Sequence, residues 1–417
     1  MKHCIFFVRN ESDEKDNTYQ QKIGCEMLSR GRDENAKKVA RVRWSVRVLL
    51  RVLAAFALFL LMGIFSLHSA VQRTVRKNKM FPPETKEQKA RDEIVGKIPL
   101  IYPRAFPVWP YDDYPCFPPD PKMARISVQR SPAHQGFLFV KPMKVGGSTA
   151  AGVNARIARR LGKKHGYLCC KARWDHSMAR TLEYGQRIPS QSFLWTVLRE
   201  PTRRAVSEFF HFEVSRKQVP PTTEEFQKYV KGLHFYNYYV NELHTRNQTN
   251  PIAQKVQEVL QDYDFIGITE RMEESIVVLM MLLRLNVEDV VYLSSKTSGS
   301  YDALCYYIQP SRVTPETAAF LQSPYWQERV HWDTILYQAA NHSLDLTIER
   351  LGPARFAQAL GKFRSLQASI KKACSGLEVY PCKSDGTKNE ASDCIWNDSG
   401  CGKTCIAQYL KENGSSE

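Results

Sequence analysis

The stretch from Phe137 to Thr149 limits the fold of this chain more than any other part of the sequence. It reads Phe-Leu-Phe-Val-Lys-Pro-Met-Lys-Val-Gly-Gly-Ser-Thr. Its first four residues are an apolar run typical of a buried parallel strand. Its two glycines permit a tight turn, and its Ser-Thr pair suits the N-terminus of a helix. Because N–H groups and the helix dipole converge at such a junction, and Lys144 adds a positive charge, the stretch predicts a phosphate-binding loop.

The order of residues in this loop differs from the Walker A pattern, in which the lysine follows the last glycine. Here Lys144 precedes both glycines. An ordinary strand-turn-helix junction with a surface lysine is the alternative interpretation, since glycine-rich turns are common between such elements. The residues assigned to the loop are Lys144, Val145, Gly146, Gly147, Ser148 and Thr149.

The chain is strongly basic, with a formal net charge of +16 over 417 residues. Such an excess fits nucleic acid, an anionic membrane or an acidic polysaccharide as a partner. A hydrophobic content of 43% is enough for a substantial core. The length allows one large α/β domain with appendages, or two or three domains. The location of the basic domain decides between these partners.

An uncharged apolar segment, Val52–Gln72, predicts a membrane anchor, since its 21 residues can span a bilayer as a helix. Eight basic residues precede it within 30–51 and four follow within 73–79. This asymmetry predicts a cytosolic N-terminus and a lumenal domain, the type II arrangement, in which nucleic acid is not an expected partner. A cleaved signal peptide and a buried soluble helix fit less well, because the run begins far from Met1 and is apolar on every face.

Proline and aromatic residues mark a stem between the anchor and the main domain. Ten prolines lie between 81 and 121 and indicate a semi-extended segment. The aromatic residues of its later part indicate that this part packs on the domain; they are Tyr102, Phe106, Trp109, Tyr111, Tyr114 and Phe117. The predicted parts are a disordered cytosolic tail at 1–47, the anchor at 48–72, the stem at 73–130, a globular domain at 131–372 and a Cys-rich segment at 373–417.

Nine of the eleven cysteines follow the anchor, and the last five lie within 32 residues, as in a disulfide-linked segment. The odd number leaves at least one cysteine free or paired with another chain. Zinc binding by Cys401 and Cys405 is the alternative, although a partner at finger spacing is missing. Four glycosylation sequons also follow the anchor, at Asn247, Asn341, Asn397 and Asn413. Cysteines and sequons both support a lumenal domain.

Strand-like and helix-like segments alternate through the main domain, which predicts an α/β fold with a mainly parallel sheet. Apolar spacing predicts strands at Phe137–Val140, Ser192–Leu198 and Val290–Leu293, and helices at Pro251–Asp264, Met272–Leu285 and Trp332–Gly352.

A second motif, Arg199-Glu-Pro-x-x-Arg204-x-x-Ser207, begins where the strand Ser192–Leu198 ends. Its proline suits the first turn of a helix, on which Arg204 and Ser207 share a face. Arg199 lies at the carboxyl end of a strand, where open α/β sheets bind ligands. Together with the upstream loop, this motif resembles the 3′-phosphate-binding motif of the Golgi carbohydrate sulfotransferases. The heparan sulfate 2-O- and galactose 3-O-sulfotransferase group is the most similar, and Asp264–Ser275 also looks like a segment of that group.

The resemblance implies a P-loop-like, three-layer α/β domain that moves a sulfuryl group from 3′-phosphoadenosine 5′-phosphosulfate (PAPS) to a carbohydrate hydroxyl by in-line displacement. The expected enzyme is anchored in the Golgi membrane with its catalytic domain in the lumen, and no metal is expected. The sequence leaves open whether the protein forms a homo-oligomer. The backbone N–H groups of 145–149 would hold the 5′-phosphosulfate, and Lys144 would neutralise charge on the leaving oxygen. Arg199 and Ser207 would bind the 3′-phosphate, whereas Arg204 would either join them or pair with a carboxylate.

A general base is needed as the acceptor hydroxyl attacks, and a histidine or carboxylate is the natural group. His176 lies between the two motifs, where related enzymes are expected to carry a catalytic histidine. Asp175, His165 and His211 are rival candidates, and a surface histidine without a catalytic role is the alternative.

Three other functions compete with this one. A P-loop kinase or NTPase shares the anion loop but needs a magnesium ligand on a neighbouring strand, and the strand at 192–198 ends in Arg199 rather than in an aspartate. A membrane-anchored, non-catalytic protein could bind acidic glycans through its basic surface and needs no phosphate loop. A sulfotransferase that acts on protein tyrosine differs only in its acceptor.

Overall fold

The computed structural model describes residues 101–111, 114–115, 135–165, 172–246, 248–294, 301–302, 304–375, 382–383, 385–389 and 401–413. All of them belong to one compact unit, Lys97–Glu417. The predicted tail, the anchor at 48–72 and most of the stem lie outside these ranges. Within the ranges no helix is long and apolar enough to cross a bilayer.

A four-stranded sheet forms the centre of the described domain. Its strands are β1 (Gly136–Val140), β2 (Ala172–Asp175), β3 (Ser192–Leu198) and β4 (Phe265–Ile268). They are parallel throughout and lie in the order β2-β1-β3-β4. Every residue of β1, β3 and β4 is buried, so both faces of the sheet are covered. This burial explains the continuous apolar runs, and it confirms the prediction of an α/β domain with a mainly parallel sheet.

Helices and turns connect and cover the strands. In chain order the α-helices are α1 (Gly147–His165), α2 (Pro201–Phe209), α3 (Thr223–Val230), α4 (Tyr238–Leu243), α5 (Ile252–Asp262), α6 (Met272–Leu282), α7 (Val287–Val290), α8 (Pro315–Leu321), α9 (Pro324–Arg329), α10 (His331–Leu351), α11 (Pro353–Ala373) and α12 (Lys403–Glu412). A π-helix, Phe210–Arg216, continues α2. Helix α2 begins with Pro201 in its first turn, as predicted, and the Glu200 side chain caps it by accepting from the N–H groups of Thr202 and Arg203.

The strand order creates a switch point between β1 and β3. The chain passes from β1 to β2 on one side and later returns to place β3 on the other side of β1. In open parallel sheets such a reversal opens a crevice at the carboxyl ends of the two strands, and ligands bind there. The predicted phosphate loop follows β1 and the Arg199 motif follows β3, so both motifs begin at this crevice.

Residues of the predicted stem take part in the core. Phe106 and Trp109 are almost completely buried. The Phe106 ring packs edge-on against Phe265 of β4 at 5.4 Å, and the Trp109 ring packs against Phe193 of β3 at 6.0 Å. The later part of the stem therefore packs on the domain, as its aromatic residues indicated, although Tyr102 is 63% exposed.

Sequence spacing identified two of the four strands and several of the longer helices. The strand Ser192–Leu198 is confirmed with its predicted ends, and the three predicted helices correspond to α5, α6 and α10. The predicted strand Val290–Leu293 is wrong. Its first residue ends α7, whose N-terminus is closed by a capping box between Asn286 and Asp289, and Leu293 makes only an isolated bridge to Cys401. Strands β2 and β4 were not predicted.

One disulfide joins the C-terminal segment to the domain, and another lies within the segment. Cys374 pairs with Cys405, and Cys382 pairs with Cys305. Cys401 is disulfide-bonded as well. These bonds confirm the prediction of a disulfide-linked segment and exclude Cys401 and Cys405 as a zinc pair, since a disulfide sulfur is not a thiolate ligand.

A buried carboxyl group joins α10 to α4. Asp333 in the first turn of α10 is 1% exposed, and its Oδ1 accepts a hydrogen bond from the backbone N–H of Val240 at 3.2 Å. Burial raises the pKa of this carboxyl to about 7, against the opposing effect of hydrogen bonds from the α4 backbone. Between about pH 4 and pH 7, the Asp333 carboxyl is therefore protonated in the folded protein and ionised in the unfolded chain.

Because the pKa of Asp333 is higher in the folded state, this group makes the protein less stable as pH rises from about 4 to about 7. We expect Asp333→Asn, which stays neutral and keeps an acceptor for Val240, to remove this loss. Relative to wild type, its free energy of unfolding should rise progressively from about pH 4 to about pH 7 and level off above, as measured by urea denaturation. The control is Glu349→Gln, an exposed site on the same helix, which should show no such trend.

Candidate active site

A cleft of about 750 Å³ opens at the carboxyl edge of the sheet. Each strand contributes the residue or loop that follows it: β1 the loop 141–148, β2 His176, β3 Arg199 and β4 Thr269. The π-helix and the segment 308–311 complete the lining. Of the residues singled out in the two sequence motifs, the cleft contains Lys144, Gly146, Gly147, Ser148, Arg199 and Ser207.

The backbone of the loop after β1 explains its glycines. Gly146 has φ +75°, and a Cβ there would lie 3.0 Å from the Met272 side chain. A Cβ on Gly147 would lie 2.7 Å from Cγ of Lys141. Lys144 itself has φ +65°, a left-handed conformation that costs a non-glycine residue about 1 kcal/mol or more. The loop is thus a tight, strained turn that brings backbone and the Lys144 side chain to one side of the cleft.

Helix α1 begins at Gly147, directly at the cleft, and its first turn contains no acidic residue. The first N–H groups of any helix lack intrahelical partners and carry the positive end of the helix dipole. Ser148 lines this cleft, whereas Thr149 lines a different cavity. Val145 is buried, and its carbonyl accepts a hydrogen bond from the Thr269 hydroxyl at 2.6 Å. The end of β4 therefore holds the loop in place.

The two predicted motifs are in direct contact. Nη1 of Arg199 donates to the carbonyl oxygen of Lys144 at 3.3 Å. This contact places a guanidinium group beside the loop, next to the Lys144 backbone and the N-terminus of α1. Such an arrangement suits a ligand with more than one anionic group.

Two adjacent tyrosines of α4 hold the two loops. The Tyr238 hydroxyl accepts from the backbone N–H of Met143 at 2.8 Å. The Tyr239 hydroxyl accepts from the N–H of Arg199 at 3.1 Å and donates to the carbonyl of Arg199 at 2.7 Å. Both rings are buried, and burial raises the pKa of each phenol, so both hydroxyls stay protonated donors. Helix α4 therefore sets the spacing of the phosphate loop and the Arg199 motif.

Arg204, predicted as a candidate for phosphate binding, does not line the cleft. It is 2% exposed, its Nη1 pairs with Glu208 one turn later, and its guanidinium stacks on the Tyr238 ring at 3.8 Å. The structure supports the alternative in which Arg204 pairs with a carboxylate. Spacing put Arg204 and Ser207 on one helix face, but Glu208 lies closer to the buried side and takes the arginine.

A second positive group that lines the cleft, Arg216, belongs to the π-helix. Arg216 donates through Nε to Oδ2 of Asp302 at 2.8 Å, and His211 Nε2 lies 3.7 Å from the same oxygen. Burial opposes ionisation of Asp302, but hydrogen bonds from Arg216 and from two backbone N–H groups hold its pKa below the usual range. Asp302 thus stays charged and fixes Arg216 at the cleft wall.

His176 follows β2 as Lys141 follows β1, so the two residues are neighbours at the sheet edge. The Nδ1 atom of His176 lies 2.8 Å from the Lys141 carbonyl oxygen. A carbonyl only accepts, so Nδ1 carries the hydrogen and the lone pair of the neutral ring is on Nε2. Among the rival bases, His211 also lines the cleft, whereas the Asp175 carboxylate accepts from the N–H of Ser177 at 2.7 Å and His165 lies at the far end of α1.

Sequence reasoning missed several residues of the cleft. Lys141 is 2% exposed and supports the loop, and Thr269 follows β4 in the same way that Arg199 follows β3. Their position directly after a strand was the available signal. Nothing in the sequence marks Tyr238 and Tyr239, since their hydroxyls act on residues far away along the chain. Within the described ranges, no group of three or more His, Cys, Asp and Glu side chains is placed to hold a metal ion.

We expect Tyr239→Phe to weaken the binding of 3′-phosphoadenosine 5′-phosphate, because the loss of its hydroxyl leaves the backbone of Arg199 without two partly buried hydrogen bonds. The free energy of unfolding should fall by about 1–3 kcal/mol. Calorimetry and denaturation measure the two effects.

The matched control is Tyr263→Phe, also fully buried, whose hydroxyl donates to the Leu243 carbonyl at 3.0 Å and does not touch either loop. It should lose similar stability and keep its nucleotide affinity. Equal nucleotide affinity in the two variants would contradict a role of Tyr239 in positioning Arg199.

Comparison with known protein families gives one match. The family model described as galactose-3-O-sulfotransferase matches residues 158–384, a little over half of the chain. The matched range contains His176, the Arg199 motif and the π-helix, and it begins within α1, after the phosphate loop. No curated protein matches the sequence. The family match therefore shows that this chain belongs to the galactose-3-O-sulfotransferase family and is a sulfotransferase.

Proposed function

We propose that this protein transfers a sulfuryl group from PAPS to a hydroxyl of a galactose-containing carbohydrate. Membership in the family implies carbohydrate sulfotransferase activity. The observation that carries the finer proposal is the contact between Arg199 and the Lys144 carbonyl, which brings the two anion-binding motifs into one cleft. A donor with phosphate groups at both ends of a ribose needs two such motifs at short range.

The loop after β1 is proposed to hold the 5′-phosphosulfate. Backbone N–H groups at 145–149 and the α1 dipole favour an anion there. Lys144 would stabilise the negative charge that develops on the phosphate oxygen as the sulfur–oxygen bond breaks. Arg199 and Ser207, which line the same cleft, would bind the 3′-phosphate. Arg204 is left out of this set, since its charge is already paired with Glu208.

His176 is proposed as the general base. The acceptor oxygen attacks sulfur, its proton passes to Nε2 of His176, and 3′-phosphoadenosine 5′-phosphate leaves. The hydrogen bond from Nδ1 to the Lys141 carbonyl orients the ring for this transfer. In this mechanism the chain's own cations and N–H groups neutralise the transferred anion, so no metal is required.

The domain is proposed to be a P-loop-like, three-layer domain that a type II anchor at 48–72 holds in the Golgi lumen through the stem at 73–130. The asymmetry of basic residues around Val52–Gln72 supports this orientation. The disulfides of the C-terminal segment support an oxidising compartment.

A P-loop kinase is the second candidate for the cleft, and the residue after β3 argues against it. Arg199 occupies the position where a magnesium-binding aspartate is expected. A non-catalytic glycan-binding protein fits the basic surface but does not explain a strained loop and an oriented histidine in one cleft.

The donor assignment predicts a preference for the 3′-phosphate. We expect the full-length protein to bind 3′-phosphoadenosine 5′-phosphate without magnesium, and Arg199→Ala to lower this affinity by roughly ten- to a hundredfold, the value of a lost charge-assisted hydrogen bond. Binding of adenosine 5′-phosphate should change little in the same variant. Isothermal calorimetry measures all four affinities.

Arg203→Ala is the matched control, since Arg203 is an exposed arginine of α2, the helix that follows Arg199, and does not line the cleft. Its affinity should equal that of the wild type. If ATP with magnesium binds more tightly than 3′-phosphoadenosine 5′-phosphate, the sulfotransferase donor assignment is wrong and the cleft is that of a kinase.

The base assignment predicts a large loss of turnover in His176→Asn. Asparagine keeps a donor for the Lys141 carbonyl but cannot take the acceptor's proton, so kcat for sulfuryl transfer to lactose should fall about 10²- to 10⁴-fold. The affinity for 3′-phosphoadenosine 5′-phosphate should stay unchanged. A larger fall in kcat in His211→Asn than in His176→Asn would indicate that His211 on the π-helix, and not His176, is the general base.

A further inference from the structure

An exposed aromatic and apolar surface adjoins the cleft. It consists of Leu304, Tyr306 and Tyr307, which we call the aromatic rim, and these side chains are 64%, 44% and 49% exposed. The next residues along the chain, 308–311, form part of the cleft wall. Three large side chains exposed within four residues of the chain, directly before a cleft-lining segment, are more informative than exposed residues scattered over a surface, because exposed apolar patches mark binding surfaces.

The backbone beneath the rim is held firmly. Oδ1 of Asp302 accepts from the N–H groups of Leu304 at 2.8 Å and Tyr306 at 3.1 Å. The backbone of Asp302 also exchanges hydrogen bonds with Tyr306 and Cys305. The disulfide between Cys305 and Cys382 fastens this turn to the C-terminal segment. The rim is therefore presented by a rigid support, which lowers the entropy cost of binding a ligand.

The same support connects the rim to the cleft. Arg216, which lines the cleft, binds Asp302 through its guanidinium. The guanidinium carbon of Arg216 lies 5.9 Å from the Tyr306 ring centroid. Tyr307 packs edge-on against Tyr301 at 5.6 Å on the other part of the turn. Tyr306 is thus the rim residue whose ring lies next to a cleft-lining cation.

We propose that the aromatic rim binds the sugar acceptor, with the Tyr306 ring stacking on the apolar face of a terminal galactose. This proposal rests on the proposed function and adds the acceptor subsite to it. In galactose, the hydrogens on C3, C4 and C5 share one face, and an aromatic face packs against such C–H groups. Hydroxyls on the edges of the sugar stay free to bond with water or with polar groups of the cleft, such as the guanidinium of Arg216.

Stacking of a sugar on the Tyr306 ring explains why the aromatic rim is both exposed to solvent and held rigidly. A tyrosine supplies a large contact area at little conformational cost. The ring orients the sugar beside the cleft, so that a hydroxyl enters towards His176 and Lys144, which line it. Tyr306 is a specificity-determining residue in this proposal and takes no part in proton transfer.

The test compares Tyr306→Ala and Tyr306→Phe in the full-length protein, with lactose as the acceptor probe. We expect the KM for lactose to rise about tenfold in Tyr306→Ala and to change little in Tyr306→Phe, because phenylalanine keeps the ring. The kcat and the affinity for 3′-phosphoadenosine 5′-phosphate should stay the same in both variants. Saturation-transfer NMR should show magnetisation passing to the galactose C–H protons in wild type and in Tyr306→Phe, but not in Tyr306→Ala.

The control is Tyr325→Ala, because Tyr325 is a 42% exposed tyrosine on α9 that does not line the cleft. An unchanged KM for lactose in Tyr306→Ala, with normal nucleotide binding, would overturn the acceptor rim and leave the proposed function standing. Wild-type protein that binds the nucleotide but neither binds nor sulfates lactose would overturn the choice of a galactose-terminated acceptor. A wild-type protein that does not bind 3′-phosphoadenosine 5′-phosphate would overturn the proposed function itself.

Discussion

The position of β1 between β2 and β3 is the constraint on which the site depends. Because all three strands are parallel, their carboxyl ends lie at one edge, and the residues that follow them meet there. The register pairs Phe139 with Trp195, whose ring centroids are 4.5 Å apart in the core. A slip of one residue would turn every side chain of a strand to the opposite face. Packing of these buried aromatic residues therefore also determines where the Lys144 loop and Arg199 lie.

Hydrogen bonds from buried side chains then fix the positions of the two loops that the parallel strands bring together. Parallel strands place two loops near one another, but the hydroxyls of Tyr238 and Tyr239 decide the distance between them. Asp333 of α10 accepts a hydrogen bond from the backbone of α4, the helix that carries both tyrosines. Groups of this kind are costly when unpaired, so a fully bonded set resists movement. The strained backbone of Lys144 persists because this surrounding set holds it.

Charge is distributed unevenly around the cleft. Arg204 and Arg216 are each paired with a carboxylate, Glu208 and Asp302, and serve to fix neighbouring segments. Lys144 and Arg199 lie at the loop and the N-terminus of α1, where positive charge accumulates. Arg204 and Arg216 therefore hold the structure around the site, whereas Lys144 and Arg199 lie where they suit the proposed anionic donor. The aromatic rim adds an exposed apolar surface next to Arg216, which suits the proposed sugar acceptor with its C–H faces and hydroxyl edges.

The amino-acid sequence by itself determined the local elements and the motifs. Apolar runs located β1 and β3, Gly146 and Gly147 marked the turn, and Pro201 marked the start of α2, because these depend on neighbours within a few residues. The sequence left open whether Arg204 binds phosphate or pairs with a carboxylate, and it suggested a strand at Val290–Leu293, where the structure has the end of α7 and an isolated bridge. Tertiary structure alone decided that Arg204 turns to Glu208, that Tyr239 holds Arg199, and that Tyr306 lies beside the cleft. Each of these outcomes depends on competition among partners that are distant in sequence and are brought together only when the sheet and its helices pack.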